Sequence, residues 1–199
     1  MRILSEVYDR LALSDAPQPC DLIFVLAGRE CRKHCGLQMF AEGWASALLL
    51  SVGRFEIRGF AAYKFSASID LDAMASAIPP ERRHFFVTTT RTDVKAELIA
   101  WRRFGTWREI RGLTEWLRRY ETVQAVTIIS SGFHLRRVRW CCRKLLPRRI
   151  NARFLAVPSE LPGFNRTQWW RSPTSRSLVL KELGKLVVYP ILFATYPSA

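Results

Sequence analysis

The chain has 199 residues, 49% of them apolar and 24% charged, with 31 Lys and Arg against 17 Asp and Glu, a formal net charge of +14. That length suits one domain around one core, and the composition excludes a disordered or collagen-like chain. The cation excess points to phosphates, nucleic acid or anionic headgroups as partners.

Residues 1–15, MRILSEVYDRLALSD, place Glu6, Asp9 and Arg10 where a secretory signal needs an unbroken apolar run. They are expected to form a short amphipathic helix. Short apolar runs then alternate with segments of helical period, the pattern of an α/β domain with a mostly parallel sheet of about five strands. One domain over 1–199 is expected, with its core at about 20–190 and a tail at 190–199. The first strand reads as Asp21–Ala27, followed by a helix at about Arg32–Glu42 that Gly43 closes from the C′ position. Strands are expected at Ala47–Ser51 and His84–Thr88. The segment 54–80 has no legible period, and 92–104 reads as partly extended.

The stretch GTWREIRGL opens a helix with Ile110, Leu113, Leu117 and Tyr120 as its apolar stripe. Thr106 and Glu109 have the spacing of a capping box, which accounts for both without any site. A strand at Ala125–Ser130 leads into another helix, where Val138, Cys142 and Leu145 share a buried stripe. Arg136, Arg139 and Arg143 fall opposite, on the solvent side, and Arg137 lies at the boundary as the arginine placed to reach inward. The fifth strand is Ala152–Val157, ended by Pro158. The last long helix reads as Ser175–Tyr189 and runs into an uncharged stretch, Leu186 to Ala199, that Pro190 breaks and that is too short to span a bilayer. Cys20, Cys31, Cys35, Cys141 and Cys142 are odd in number with two adjacent, so no disulfide framework is expected and a reducing compartment fits. Cys31, His34 and Cys35 with Cys141 and Cys142 lack the repeated C-x-x-C of a zinc site, and no metal is expected.

Three strands finish in small or polar residues: LAGRE (26–30), LLSVGR (49–54) and ISSGFH (129–134). In an open parallel sheet these ends share one edge, where ligands bind. Gly28 and Gly53 permit close approach, Ser51, Ser130 and Ser131 offer hydroxyls, and helix N-termini offer amides and a positive dipole. Arg29 or Arg32, with Arg137, would supply charge. The helix dipole favours a neutral His134, which can take a proton. Glu109 could orient it only if its helix opens onto the same edge. No G-x-G-x-x-G, Walker loop or G-x-S-x-G is present.

Taken together, these stretches resemble the DUF218 domain family, the YdcF, SanA and ElyC-like proteins of bacteria. Arg32-x-x-x-Gly36-x-x-Met39-Phe40-x-x-Gly43 keeps the family's first frame, and Ser51-Val52-Gly53 stands where the family has S-G-G. Thr106-x-x-Glu109 and Ser130-Ser131-Gly132-Phe133-His134-x-x-Arg137 follow in order, over roughly residues 20–190. Val52 and the Ser130-Ser131 pair depart from the family pattern. The resemblance implies a Rossmann-like three-layer α/β domain. It implies a place in envelope or lipid-carrier metabolism, with S-adenosylmethionine or a nucleotide as ligand, but no family-wide reaction; joined to the strand-end residues, it makes a hydrolase or transferase on a phosphorylated or nucleotide-like substrate the first reading. On this reading His134 is the general acid or base, oriented by Glu109. Arg32 and Arg137 hold the anion, with Gly28, Arg29, Ser51, Gly53, Thr106, Ser130 and Ser131 completing the site. The expected location is the cytoplasm, peripheral at the inner membrane, with an anionic small molecule or lipid phosphate as partner. The alternative is a non-catalytic basic module for an anionic membrane or nucleic acid; nucleic acid ranks lower, since no aromatics are interleaved with the basic residues on strands.

Overall fold

Six apolar runs form strands: β1 (Cys20–Val25), β2 (Ala45–Gly53), β3 (His84–Thr89), β4 (Val94–Leu98), β5 (Ala125–Ser131) and β6 (Asn151–Val157). The helices are α1 (Arg2–Leu11), α2 (Glu30–Ala41), α3 (Ile57–Phe60), α4 (Leu71–Ser76), α5 (Gly105–Arg119), α6 (Gly132–Leu145) and α7 (Pro173–Leu192). The structure is a computed structural model, and it describes residues 2–63, 69–99, 105–157 and 164–194. Residues 100–104 of the segment expected to be partly extended, Pro158 after the last strand, and 195–199 of the tail lie outside that range.

The strands form one sheet in the order β4-β3-β2-β1-β5-β6. β2, β1, β5 and β6 are parallel, but β3 runs antiparallel to β2 and β4 antiparallel to β3. The sheet is mostly parallel as expected, but it has six strands instead of about five and is mixed, with β3 alone reversed. The reason lies in the segment without a legible period: it holds α3 and α4, and it leaves the chain at the edge where β2 ended. β3 returns from there, pairing His84 with Gly53. The partly extended reading of 92–104 holds for β4, which a turn joins to β3. In that turn the Thr90 hydroxyl accepts from the Asp93 amide at 3.1 Å.

Side chains alternate across the strands, so Leu22, Phe24 and Leu26 face one layer and Ile23 and Val25 the other. The first layer is α5 and α6, packed through Ile110, Leu113, Leu117, Leu135, Val138 and Cys142. The second is α2 with α3 and α4, packed through Met39, Ile57, Phe60 and Leu71. Burial on both faces explains why β1 and β2 read as unbroken apolar runs. α1 and α7 pack together over a smaller cluster around Leu11, Phe164, Trp169 and Val179.

Gly43 has φ +85°, as its position after α2 requires. On α6, Arg136 and Arg143 are exposed and Arg137 is buried, as the helical angles predict. Tyr120, expected in the apolar stripe of α5, is instead 41% exposed just past the helix end and stacks on Trp116. α7 continues through Pro190 to Leu192, one turn beyond expectation, because Phe193 still donates its amide to the Tyr189 carbonyl. Cys31 and Cys35 lie under one face of the sheet and Cys141 and Cys142 under the other. Burial pushes the Cys141 thiol up to about 12 and Cys142 well above its usual range.

α2 reaches the sheet only because Gly36 has no side chain. A Cβ there would collide with Val25 Cγ2 on β1 and approach Leu48 Cδ1 at 3.5 Å. Val25 is β-branched and fully buried, so it has little freedom to move aside. Gly36→Val is expected to destabilise the protein by about 3 kcal/mol, the upper part of the overpacking range. Urea unfolding of the variant beside wild type measures this, and an unchanged midpoint would contradict the close packing.

Candidate functional site

Each parallel strand delivers its chain to the same edge of the sheet. There the N-terminal turns of α2, α5 and α6 converge, at the point where β2 lies to one side of β1 and β5 to the other. A cleft of about 790 Å³ opens at this reversal, lined by Ala27, Arg29 and Arg32, by Gly105, Thr106 and Glu109, and by Phe133, His134 and Arg137. α7 walls it with Lys181, Glu182, Lys185, Val188 and Tyr189. The volume is that of a site for a small molecule or cofactor, and strand-order reversals are where open α/β sheets place such sites.

Glu109 is buried, and its carboxylate does not turn back to cap its own helix. Oε1 accepts from the Ala27 amide at 2.8 Å and from the Ser51 hydroxyl at 2.7 Å. The capping-box reading is thereby corrected: the first turn of α5 faces β1 and β2 closely enough for their donors to claim the carboxylate. Ser51 Oγ also meets His84 Nε2 at 2.7 Å, and His84 Nδ1 meets the Arg108 guanidinium. Arginine only donates, so Nδ1 accepts and His84 carries its proton on Nε2. That proton goes to Ser51 Oγ, and the Ser51 proton goes to Glu109. Burial, then Arg108 and Lys33, push the His84 pKa down to about 3, so the ring is neutral. Burial pushes the Glu109 carboxyl up, against its hydrogen bonds and the nearby Arg32 and Arg108.

His134 sits deeper than a catalytic imidazole in open solvent. Its Nδ1 meets Ser130 Oγ at 2.8 Å and its Nε2 meets Thr106 Oγ1 at 3.0 Å. Burial, then Arg137 and Arg32, hold its pKa well below the usual range, so it too is neutral. Its ring is oriented by Ser130 and Thr106; Glu109, expected in that role, is engaged with Ala27 and Ser51 instead. Thr106 also accepts from Arg137 Nη1, which reaches Tyr189 Oη at 3.1 Å. The other side of the Arg137 guanidinium forms a two-pronged pair with Glu182, Nε to Oε2 at 2.9 Å and Nη2 to Oε1 at 3.1 Å. Lys185 joins the same carboxylate at 2.8 Å. The inward reach predicted for Arg137 is present, and its charge is matched by α7.

Arg32 is only 7% exposed. It donates from Nη1 to the Ala27 carbonyl at 2.6 Å, and from Nε and Nη2 to Ser131 Oγ at 3.3 and 3.0 Å. Its hydrogen-bond acceptors are all neutral, and among the described residues no carboxylate lies in salt-bridge contact with it. Gly28, with φ +134°, makes room for it: a Cβ there would stand 2.8 Å from Arg32 Nη1.

The cleft thus brings together Arg29, Arg32, Thr106, Glu109, His134 and Arg137. Ser51, Ser130 and Ser131 are buried behind these groups, their hydroxyls holding Glu109, His134 and Arg32 in place. Gly53 offers its amide to Glu56 Oε2 at 2.8 Å rather than to the cleft. Five participants were not among the expected site residues: His84, Arg108, Glu182 and the buried pair of Lys33 with Glu56. Burial pushes the Lys33 ammonium down and Glu56 opposes it. Lys33 lies one turn before Gly36 on the face that meets the sheet, and Glu182 lies between Val179 and Tyr189 on the inward face of α7. A charge inside an apolar stripe was the available signal for both. His84 had none, because its place depends on the direction of β3.

No known family model matches the chain, nor does any curated protein or solved structure.

The two neutral histidines fix the sign of the pH dependence. His84 and His134 bind protons more readily unfolded than folded, so stability is lost as pH falls below about 6.5, down towards 3 for His84. Glu109 acts oppositely, since its raised pKa makes the folded state the better proton binder from about 4.5 upward. Two groups against one predict unfolding free energies that rise between pH 4 and pH 7. Urea titrations across that range should show the rise, and His84→Asn with His134→Asn should flatten it. A wild-type profile flat over the interval would contradict the assignment of neutral imidazoles.

Proposed function

We propose that the cleft seats a phosphorylated or nucleotide-like anion, and that the protein is a hydrolase or transferase of Rossmann-like architecture acting on that ligand. The observation that carries this reading is Arg32, a buried guanidinium at the cleft wall whose hydrogen-bond acceptors are all neutral. A buried cation costs free energy unless an anion compensates it, and a bound phosphoryl oxygen supplies that compensation with charge-assisted hydrogen bonds. Arg29, the first turn of α2 and Lys181 stand beside it. Arg137 is a poorer seat, because Glu182 already neutralises it, and its part is to hold Thr106 and α7 in register.

Glu109 is the group suited to move a proton. Burial raises its pKa, it lines the cleft, and Ser51 and Ala27 hold one oxygen by donors fixed in direction. His134 then positions Thr106 and presents a neutral ring at the wall, rather than acting as the general acid or base expected from the sequence. The chemistry is transfer or hydrolysis at a phosphorylated centre, with Glu109 accepting the proton of the attacking hydroxyl or water. A nucleotide or S-adenosylmethionine, the ligands that the resemblance to DUF218 proteins implies, is compatible with the cleft's volume.

Thermal shift of the full chain against inorganic phosphate, nucleotides, S-adenosylmethionine and a prenyl pyrophosphate tests the reading. A ligand at about 100 times its Kd adds roughly 2.7 kcal/mol. Arg32→Met is expected to weaken that ligand at least about tenfold, the value of a hydrogen-bonded charge. Glu109→Gln keeps the shape and both accepted hydrogen bonds, so it should preserve the ligand shift while abolishing turnover. Absence of stabilisation by every member of the panel would sink the anion-site reading.

A further inference from the structure

α7 buries one face and leaves the opposite one apolar. Val179, Glu182 and Tyr189 point inward, whereas Leu180, Val187 and Ile191 are 62%, 65% and 71% exposed. At about 100° per residue, positions 180, 184, 187 and 191 fall within roughly 60° of one another, a single outward stripe. Gly184 stands in its middle, and a Cβ there would meet nothing within 4 Å. Val188 and Leu192 widen the stripe on one side. Lys181 and Lys185 are exposed on that same side and Arg176 on the other. Lys185 is 47% exposed even though it reaches Glu182. Glu182, the one acid in the helix, is buried against Arg137, so the outward face carries no carboxylate, and its charges are all cations.

We propose that this face of α7 seats on the surface of an anionic lipid bilayer, with its aliphatic side chains at the acyl boundary and its lysines among the headgroups. Stripes of large aliphatic side chains this open on a soluble face mark interaction surfaces. The combination of an apolar stripe flanked by basic residues is that of a helix lying in a membrane interface. Charge selects the occupant. Two copies of a +14 chain meeting through α7 would bring lysines against lysines, whereas an anionic surface attracts the same residues. The helix lies along the bilayer and does not cross it: among the described residues no helix is long and apolar enough to do so. Lys181, Gly184, Lys185 and Val188 also wall the cleft, so the stripe and the cleft share an edge and docking brings the cleft's mouth to headgroup level. The proposal holds whatever the cleft binds.

Co-sedimentation of the full chain with vesicles tests it, using phosphatidylcholine alone and phosphatidylcholine with about one-third phosphatidylglycerol. Binding to the anionic vesicles is expected, at least tenfold stronger than to the neutral ones and weakening with salt. Val187→Asp with Ile191→Asp should reduce partitioning at least about tenfold, with an unchanged melting temperature because both side chains are exposed. Lys181→Glu with Lys185→Glu should cost roughly fivefold per lysine. Arg143→Glu with Arg148→Glu, on a basic cavity at the far end of α6, should leave binding within about twofold of wild type. Lack of binding to the anionic vesicles overturns the proposal. So does binding that survives the aspartates or is lost equally with Arg143 and Arg148. A wild-type dimer that the aspartates turn into a monomer overturns it as well, by assigning the stripe to a second copy. Thermal shifts by soluble ligands, measured on the aspartate variant, report the cleft separately.

Discussion

A single carboxylate oxygen ties together the sheet edge where the cleft opens. Glu109 Oε1 accepts from the Ala27 amide and the Ser51 hydroxyl, and so joins α5 to the ends of β1 and β2. Burying a carboxylate is unfavourable unless donors meet it. Here the donors come from a backbone amide and from a serine whose own proton direction is set by His84 and Arg108. The arrangement fixes the edge of the sheet at the point where the cleft opens, and it leaves a carboxyl with raised pKa in the cleft wall. On the proposed reading structure and chemistry share one group, since the carboxyl is positioned by the same bonds that close this edge of the fold.

In and behind the cleft stands a balance of buried cations. Arg137 is compensated by Glu182 and Lys33 by Glu56, while Arg32 rests on neutral oxygens. That asymmetry gives the cleft a direction. One guanidinium anchors α7 across the top, and the other, with neutral hydrogen-bond acceptors, is the one on which the proposed anion seat rests. Both histidines are neutral because burial and neighbouring cations disfavour their protonation, so neither adds to the positive charge; each instead relays a fixed hydrogen-bond direction to a hydroxyl. α7 has a role on each face: inward it supplies the carboxylate that holds Arg137, and outward it presents the aliphatic stripe with its flanking lysines.

Much of this was legible residue by residue. The turn of Arg137 toward the core followed from its angle relative to Val138 and Cys142, and Gly43 followed from the end of an apolar period. The three strand ends with small or polar residues did come to one edge. Other inferences failed for identifiable reasons. Thr106 and Glu109 have capping-box spacing, but that spacing describes a helix end met by water, and this end is met by the donors of β1 and β2. Orientation of His134 by Glu109 assumed that two groups at one edge must meet, whereas each found nearer hydroxyls.

What the sequence alone determined was local: which segments become helices and strands, which faces they bury, and the strong basic charge. Those properties depend on periods of two and 3.6 residues, which a short window contains. Tertiary structure decided the reversed direction of β3 and the placement of His84 that follows from it. It also decided the partners of Glu109, His134, Arg32 and Arg137. Those partners lie as far as 82 residues away for Glu109 and 99 for Arg32. Contacts at such separations depend on strand order and direction, and the local pattern of a strand is the same whether its neighbour runs beside it or against it.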